Sequence, residues 1–542
     1  MSEVEETEGR QTTHDAIVVG AGFSGLYMVH RLRDELGLDV VGIEAADGPG
    51  GTWYWNRYPG ARCDSESFYY CYTFSDELLH EWDWSSRYPE QPEILRYLEF
   101  AADRLDLRRS FRFGTRVTAA RWDEAGSRWL VETDAGDTLA ASFLITAVGC
   151  LSAANVPEIP GLEDFEGDWY HTGRWPHEGV DFTGRRVGQI GTGSSGIQAA
   201  PVIAEQADHL YVFQRTPNYT VPARDRPMGR DEWLEIKARY DEVRRQTKES
   251  FAGFPYTPSE RSALEASDEE RRAIYEGLWE DGGFKFLWGS FYDLLLNEDA
   301  NETAAEFIRS KIREVVKDPK VAELLSPTSY PYGAKRPPID TGYYETFNRD
   351  NVTLVDVSRS GITRITPKGI ETTDGHYDVD TIVFATGFDA MTGPLLRMHI
   401  TGRDGLELEE KWADGPTSYL GLQVAGFPNL FTITGPGSPS VLTNMPTSIE
   451  QHVEWIADCI EHMRETGRTT IEPTPEAESQ WVDHVAETAG LGLFTKADSW
   501  YIGANIPGKK RVFMPYVGGL LNYRQRCDEV AAHDYEGFRL SA

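Results

Sequence analysis

The sequence predicts an α/β protein built from two Rossmann-like dinucleotide-binding domains, the second interrupted by a helical insertion. Three observations carry this. Gly20-Ala-Gly22-Phe-Ser-Gly25 follows a short apolar run. Gly191-Thr-Gly193-Ser-Ser-Gly196 repeats the pattern about 170 residues later. Between about residues 224 and 332 the chain turns to helical spacing with capping Ser, Asp or Asn.

The elements follow in order. Residues 1–14 are acidic, lack an apolar stretch and are expected to be a disordered lead rather than a signal peptide. Asp15 to Val19 is apolar and runs into glycine, so it predicts a buried parallel strand. A helix is expected from about Phe23 to Glu35 and a second strand from about Val40 to Ile43. Arg186–Ile190, a helix from about Ser195 and His209–Phe213 repeat that β-α-β unit. From Thr381 the chain is expected to leave the second domain and complete the first, with Thr386 and Gly387 closing it. The expected boundaries are 15–150 for the first part of the first domain and 151–384 for the second. Residues 385–542 form the completion, with a mobile loop near 495–508.

Formal net charge is −34, from 53 basic and 87 acidic residues. Such a surface argues against nucleic acid or an anionic membrane as partner. Lysine is scarce, which fits either a salt-adapted host or a GC-rich genome. The five cysteines are widely spaced, without a C-x-x-C pair, as in a reduced cytoplasmic protein. No apolar run is long enough to span a bilayer. No metal site is expected, and the chain is taken as a monomer or weak homo-oligomer.

Each fingerprint sits between a strand and a helix. There the first glycine makes the turn, the second admits a pyrophosphate and the third lets the helix pack closely. Glu44, 19 residues past Gly25, places a carboxylate where ribose hydroxyls bind. The equivalent residue past Gly196 is Arg215, whose guanidinium pairs with a 2′-phosphate that a carboxylate would repel. A solvated strand-end arginine is the plainer alternative. The second site therefore reads as NADPH. A flavin can accept hydride from a nicotinamide, whereas two nicotinamides have little to exchange, so the first site reads as FAD.

Two further patterns choose the reaction. Phe165-Glu-Gly167-Asp-Trp-Tyr-His171-Thr-Gly-Arg-Trp175-Pro176 lies between the fingerprints, and Gly51-Thr-Trp53-Tyr-Trp-Asn-Arg-Tyr58-Pro59-Gly60-Ala-Arg-Cys-Asp64 follows the first. With them the chain, from about Asp15 to Phe538, resembles the type I Baeyer–Villiger monooxygenases, and within them the phenylacetone, steroid and cyclohexanone enzymes. The resemblance implies insertion of one oxygen atom into a ketone with NADPH and O₂, giving an ester or lactone. It implies a flavin C4a-peroxide and a Criegee-type adduct.

The same resemblance assigns roles by position. Arg336, in Gly333-Ala-Lys335-Arg336-Pro337, matches the active-site arginine, and a fixed cation there steadies developing oxyanion charge. Asp64 matches its paired carboxylate; an interdomain structural ion pair is the alternative. Ser24, Glu44, Thr52, Trp53, Tyr54, Trp55, Asp64 and Tyr70 would line FAD. Thr192, Gly193, Ser194, Ser195, Gly196, Ile197, Gln198, Arg215 and Thr216 would hold NADP, with Arg62 and Cys63 close by. Lys335 would help bind the 2′-phosphate and Trp500 would reach NADP from the mobile loop. His171 would sit in the interdomain linker rather than act as acid or base. Ser440, Val441, Leu442 and Met445 would line the substrate pocket, with Met445 also near flavin.

The substrate signals conflict. Gly435–Met445 looks like the loop of the phenylacetone and steroid enzymes, while Phe284–Ile312 and Lys335–Val352 look like cyclohexanone enzymes. Two other classes remain in play: a flavin monooxygenase acting on nitrogen or sulfur, and a non-oxygenating NADPH reductase or nucleotide sensor.

Overall fold

A computed structural model describes residues 12–359 and 361–542. Of the expected disordered lead, residues 1–11 lie outside the described residues. The remainder is corrected: strand β1 spans Thr12–Val19, three residues longer than expected. Thr12, Thr13 and His14 are polar, but their backbone pairs with Leu139, Ala140 and Ala141, so the ladder extends beyond the apolar core.

β1 is followed by α1 (Phe23–His30) and β2 (Val40–Ile43). Ala16 to Val19 and all of β2 are buried, as in a sheet covered on both faces. The sheet continues with β3 (Phe111–Arg112), β4 (Val117–Asp123), β5 (Arg128–Thr133) and β6 (Thr138–Thr146). β6 lies parallel to β1 and antiparallel to β5, and its far end pairs with the returning strand Leu430–Thr432. Ile400–Thr401 adds to the opposite edge, beside β4. Two late segments thus complete a sheet begun at the N-terminus.

The second sheet has five parallel strands. They are β7 (Asp168–His171), β8 (Arg186–Ile190), β9 (His209–Gln214), β10 (Val352–Asp356) and β11 (Thr381–Phe384), in the spatial order β10-β9-β8-β11-β7. α2 (Ser194–Gln206) links β8 to β9. The segment between β9 and β10 is mostly helical and includes α3 (Asp268–Asp281) and α4 (Glu298–Val315). α3 begins at a capping box in which Ser267 Oγ accepts from Glu270 N and Glu270 Oε2 accepts from Ser267 N. Tyr275, Phe286 and Phe307 pack these helices onto one another.

After β11 the chain returns to the first sheet. There α5 (Met445–Glu465) packs on α1, with Ile449, Val453 and Ile456 in one cluster with Leu26 and Val29. Among the described residues no helix is long and apolar enough to cross a membrane.

Candidate functional site

Both fingerprints take the same backbone path. Gly20 and Gly191 have φ of 109° and 110°, a conformation that favours glycine, and both start the turn from strand to helix. A Cβ on Gly25 or Gly196 would strike the carbonyl oxygen of that first glycine. In the first loop Glu44, 6% exposed, accepts from Ala21 N and Ala46 N, both at 2.7 Å. Burial pushes its pKa up and those amides oppose the rise. Ser24 is buried at the start of α1 and Thr52 is exposed. Trp53 is buried and donates through Nε1 to Tyr70 Oη at 3.1 Å. Tyr54 and Trp55 are half-buried, edge to face at 5.0 Å, and Arg57 lies over the Tyr54 ring.

In the second loop Gly193 has open space where a Cβ would stand, and Ser194 and Ser195 lead into α2. Thr192 Oγ1 donates to Thr216 O at 3.0 Å, tying this loop to the end of β9. Two of the residues expected to hold NADP have their side chains engaged within the protein. Ile197 is fully buried in its own core, so no side-chain surface is left for a ligand. Gln198 joins the two halves instead: Oε1 accepts from Tyr58 Oη at 2.7 Å and Nε2 donates to Arg62 O at 3.2 Å. Arg62 is already engaged by Glu90 and Asp225, which compensate its charge. Cys63 is buried, and burial, then Asp64, push its thiol pKa up.

Beyond β9, Arg215 is exposed and Lys335 Nζ sits 4.4 Å from the Tyr330 ring centre. Burial, then repulsion from Arg215, lower the Lys335 pKa. Among the described residues neither cation forms an ion pair. Asp498, whose charge partly offsets that repulsion, is paired with Arg511 instead, and two like charges left together suit an anion.

Arg336 follows directly. Its Nε and Nη2 donate to Asp64 Oδ2 and Oδ1 at 2.9 and 2.8 Å, a bidentate fork, and Nη1 donates to Val441 O at 2.9 Å. The Phe284 ring lies 4.4 Å away. Burial opposes the charge, but the Asp64 carboxylate more than offsets it and keeps Arg336 protonated. Arg336 lines a narrow cavity and is its one charged lining residue among the described residues. Phe254, Phe284, Trp288, Leu442, Phe494 and Tyr501 supply much of its wall. Val441 and Leu442 also line it. Ser440 and Met445 are not among the lining residues: Ser440 is buried with Oγ toward Met391 Sδ, and Met445 opens α5.

His171 ends β7, 2% exposed, with Nδ1 accepting from Gly173 N at 3.0 Å. Burial, then Arg174, lower its pKa to about 4, so the ring is neutral at pH 7. It lies by Asn155 and Gly387, on the two chain crossings between the sheets. These crossings are bonded side by side: Asn155 N donates to Gly387 O at 3.0 Å and Asp389 N to Ala153 O at 2.8 Å. Phe165 is half-buried against Gly167, and Trp175 packs on Tyr170 and Phe182, with Pro176 next. The segment carrying Trp500 reaches the same place, where Asn505 Nδ2 donates to Phe388 O at 2.7 Å and Lys509 pairs with Asp389 at 2.6 Å.

The NAD(P)-binding Rossmann-like domain family matches residues 18–82. A Baeyer-Villiger monooxygenase of Pseudooceanicola batsensis is 48% identical over 98% of this chain and 97% of its own length. The chain belongs to the Baeyer–Villiger monooxygenase family. An oxidised steroid monooxygenase bound to NADP is 55% identical, with a TM-score of 0.93 over 98% of this chain and 100% of that one. OTEMO in complex with FAD and NADP is 44% identical, with a TM-score of 0.95 over the same shares.

In this monooxygenase, sequence reasoning missed the aromatic wall. Phe254, Phe284 and Trp288 lie in the helical insertion, where aromatic residues at irregular spacing look like core. Tyr501 had a usable signal: it adjoins Trp500 in the same short turn, Trp500–Ile502.

Proposed function

We propose that this monooxygenase binds FAD at the first fingerprint and NADPH at the second, and inserts one atom of O₂ into an apolar ketone held beside Arg336. The observation that carries the reading is the Arg336–Asp64 fork at the edge of an otherwise uncharged, aromatic cavity.

The residues fit both cofactors. The Gly20 loop, Ser24, Glu44 and the Thr52–Trp55 turn offer backbone amides, a hydroxyl, a buried carboxylate and aromatic faces, a donor set suited to FAD. The open cradle at Gly193 and the unpaired cations Arg215 and Lys335 suit a dinucleotide with a 2′-phosphate. Bound FAD, reduced by NADPH, supplies the chemistry that activates O₂. The chain's own residues do the rest. The aromatic wall desolvates the ketone and leaves its carbonyl as the one polar group to satisfy. Asp64 and Val441 O fix the guanidinium, and Arg336 directs its remaining N–H groups at the oxygen that gains charge as the carbonyl carbon is attacked. Neutral His171 holds the crossings and moves no proton. The reading includes a cytoplasmic monomer or weak homo-oligomer; five free, buried thiols support the reducing compartment.

The test is a ketone panel with purified enzyme, FAD, NADPH and O₂. The expected products are esters or lactones one oxygen atom heavier than the ketone. Oxygenation of amines and sulfides alone would overturn the reading.

A further inference from the structure

Arg336 is not the only polar group that reaches the ketone cavity. Tyr501 lines it too, although its side chain is buried, with 1% exposure for the residue. Its backbone is held by Met514 N, which donates to Tyr501 O at 2.9 Å. Its ring packs against Phe513 at 6.0 Å and Trp500 at 4.5 Å. Burial raises the phenol pKa, and the Arg336 guanidinium charge opposes the rise. Among the described residues no carbonyl or carboxylate accepts from the Tyr501 hydroxyl. The cavity that Tyr501 lines is where an acceptor for this O–H can arrive.

The guanidinium leaves room for such a partner. Two of its N–H groups point at Asp64 and one at Val441 O, so one N–H remains on each Nη. A carbonyl oxygen has two lone pairs. One can take a guanidinium N–H and the other a phenol O–H from a neighbouring element.

We propose that the Tyr501 phenol is a second hydrogen-bond donor to the ketone oxygen, acting beside Arg336. The inference rests on the ketone reading above. No proton changes hands: the O–H bond stays intact, and its hydrogen bond strengthens as the carbonyl oxygen gains charge. The donor arrives on the segment that also carries Trp500 and ties through Asn505 and Lys509 to the second crossing. Placement of this segment therefore completes the donor pair.

The test compares wild type, Tyr501→Phe and Arg336→Lys as FAD-loaded enzymes, with FAD content and melting temperature establishing that each is folded. Isotope-edited infrared spectra are recorded for ¹³C=O-labelled cyclohexanone bound to oxidised enzyme with NADP⁺. The carbonyl band is expected at higher wavenumber in Tyr501→Phe than in wild type, because one donor is lost. In turnover, ester formation is expected to fall about 10- to 100-fold, with the shortfall appearing as H₂O₂. The ketone KM is expected to change by less than about threefold, since the bond matters most when charge develops. An unmoved band overturns the proposal, whether ester yield is unchanged or falls, because a fall alone makes Tyr501 a packing residue. If Arg336→Lys collapses while Tyr501→Phe matches wild type in both measurements, the tyrosine proposal fails and the ketone reading stands. If wild type oxygenates amines and sulfides alone and makes no ester, the ketone reading itself fails.

Discussion

Replacing Arg336 with alanine removes the one charged group that lines the aromatic cavity among the described residues and leaves Asp64 without its partner. The magnitude follows from the geometry. A guanidinium about 3 Å from a developing oxyanion, at an effective dielectric of about 20, contributes roughly 5 kcal/mol. Loss of a single fixed donor at such sites costs about 3–4 kcal/mol. Ester formation should therefore fall by roughly 10²- to 10⁴-fold. Arg336→Lys keeps the charge but loses the fork that matches Asp64 at 2.9 and 2.8 Å, so it should lie between alanine and wild type. The assay follows NADPH oxidation, H₂O₂ and ester in one reaction. Arg336→Ala should retain FAD and still be reduced by NADPH, with its NADPH emerging as H₂O₂. Wild-type ester yields from Arg336→Ala would refute the role given to the guanidinium.

Three other outcomes can be checked. Arg215→Ala should raise the NADPH KM by roughly 10- to 100-fold with little change for NADH, because a charge-assisted contact contributes about 1.5–3 kcal/mol; an unchanged NADPH-to-NADH ratio would remove Arg215 from the site. Gly60→Ala should lower the apparent melting temperature by several degrees, since φ is 78° and a Cβ would collide with the Gln198 carbonyl between the two halves; an unaltered melting curve would contradict that packing. Acid should destabilise the fold through His452, fully buried with its pKa lowered to about 3, and through His171 at about 4. The unfolded chain takes up these protons near pH 6.5 and the fold resists them, so stability is full above pH 6.5 and lost as pH falls toward 3, by about 3 kcal/mol for His171 alone. The slope of melting temperature against pH over that window should flatten in His452→Asn, and an identical slope would exclude the histidine as its source.

What could be read in the sequence was local. β1, α1 and β2, and their counterparts β8, α2 and β9, are written in contiguous apolar runs and glycines. The start of β1 was not, because Thr12 to His14 owe their strand to backbone pairing with β6. The Arg336–Asp64 pair joins positions 272 apart, and no periodicity in either segment announces it; the family resemblance did. Resemblance does not give side-chain directions. Ser440 opens a short 3₁₀ turn with φ of 38°, so consecutive residues point different ways and only Val441 and Leu442 reach the cavity. Ile197 was included for its place in a fingerprint helix, yet the face it occupies is core. Phe254, Phe284 and Trp288 were invisible as a wall because burial in a helical insertion and burial around a ligand use the same residue types.

The stretch Gly333–Pro337 carries two adjacent cations with different surroundings. Pro337 disfavours helical backbone at Arg336, and in an extended chain adjacent side chains point opposite ways. Lys335 accordingly faces Tyr330 and Arg215, while Arg336 faces Asp64 and Val441 O. One short backbone segment thus carries both the cation proposed for the NADPH 2′-phosphate and the cation proposed for the ketone oxygen. Asp64 compensates only the second. That asymmetry suits the proposed roles: a bound phosphate brings its own negative charge to Lys335, whereas Arg336 must wait beside an uncharged ketone and needs a permanent carboxylate to stay in place.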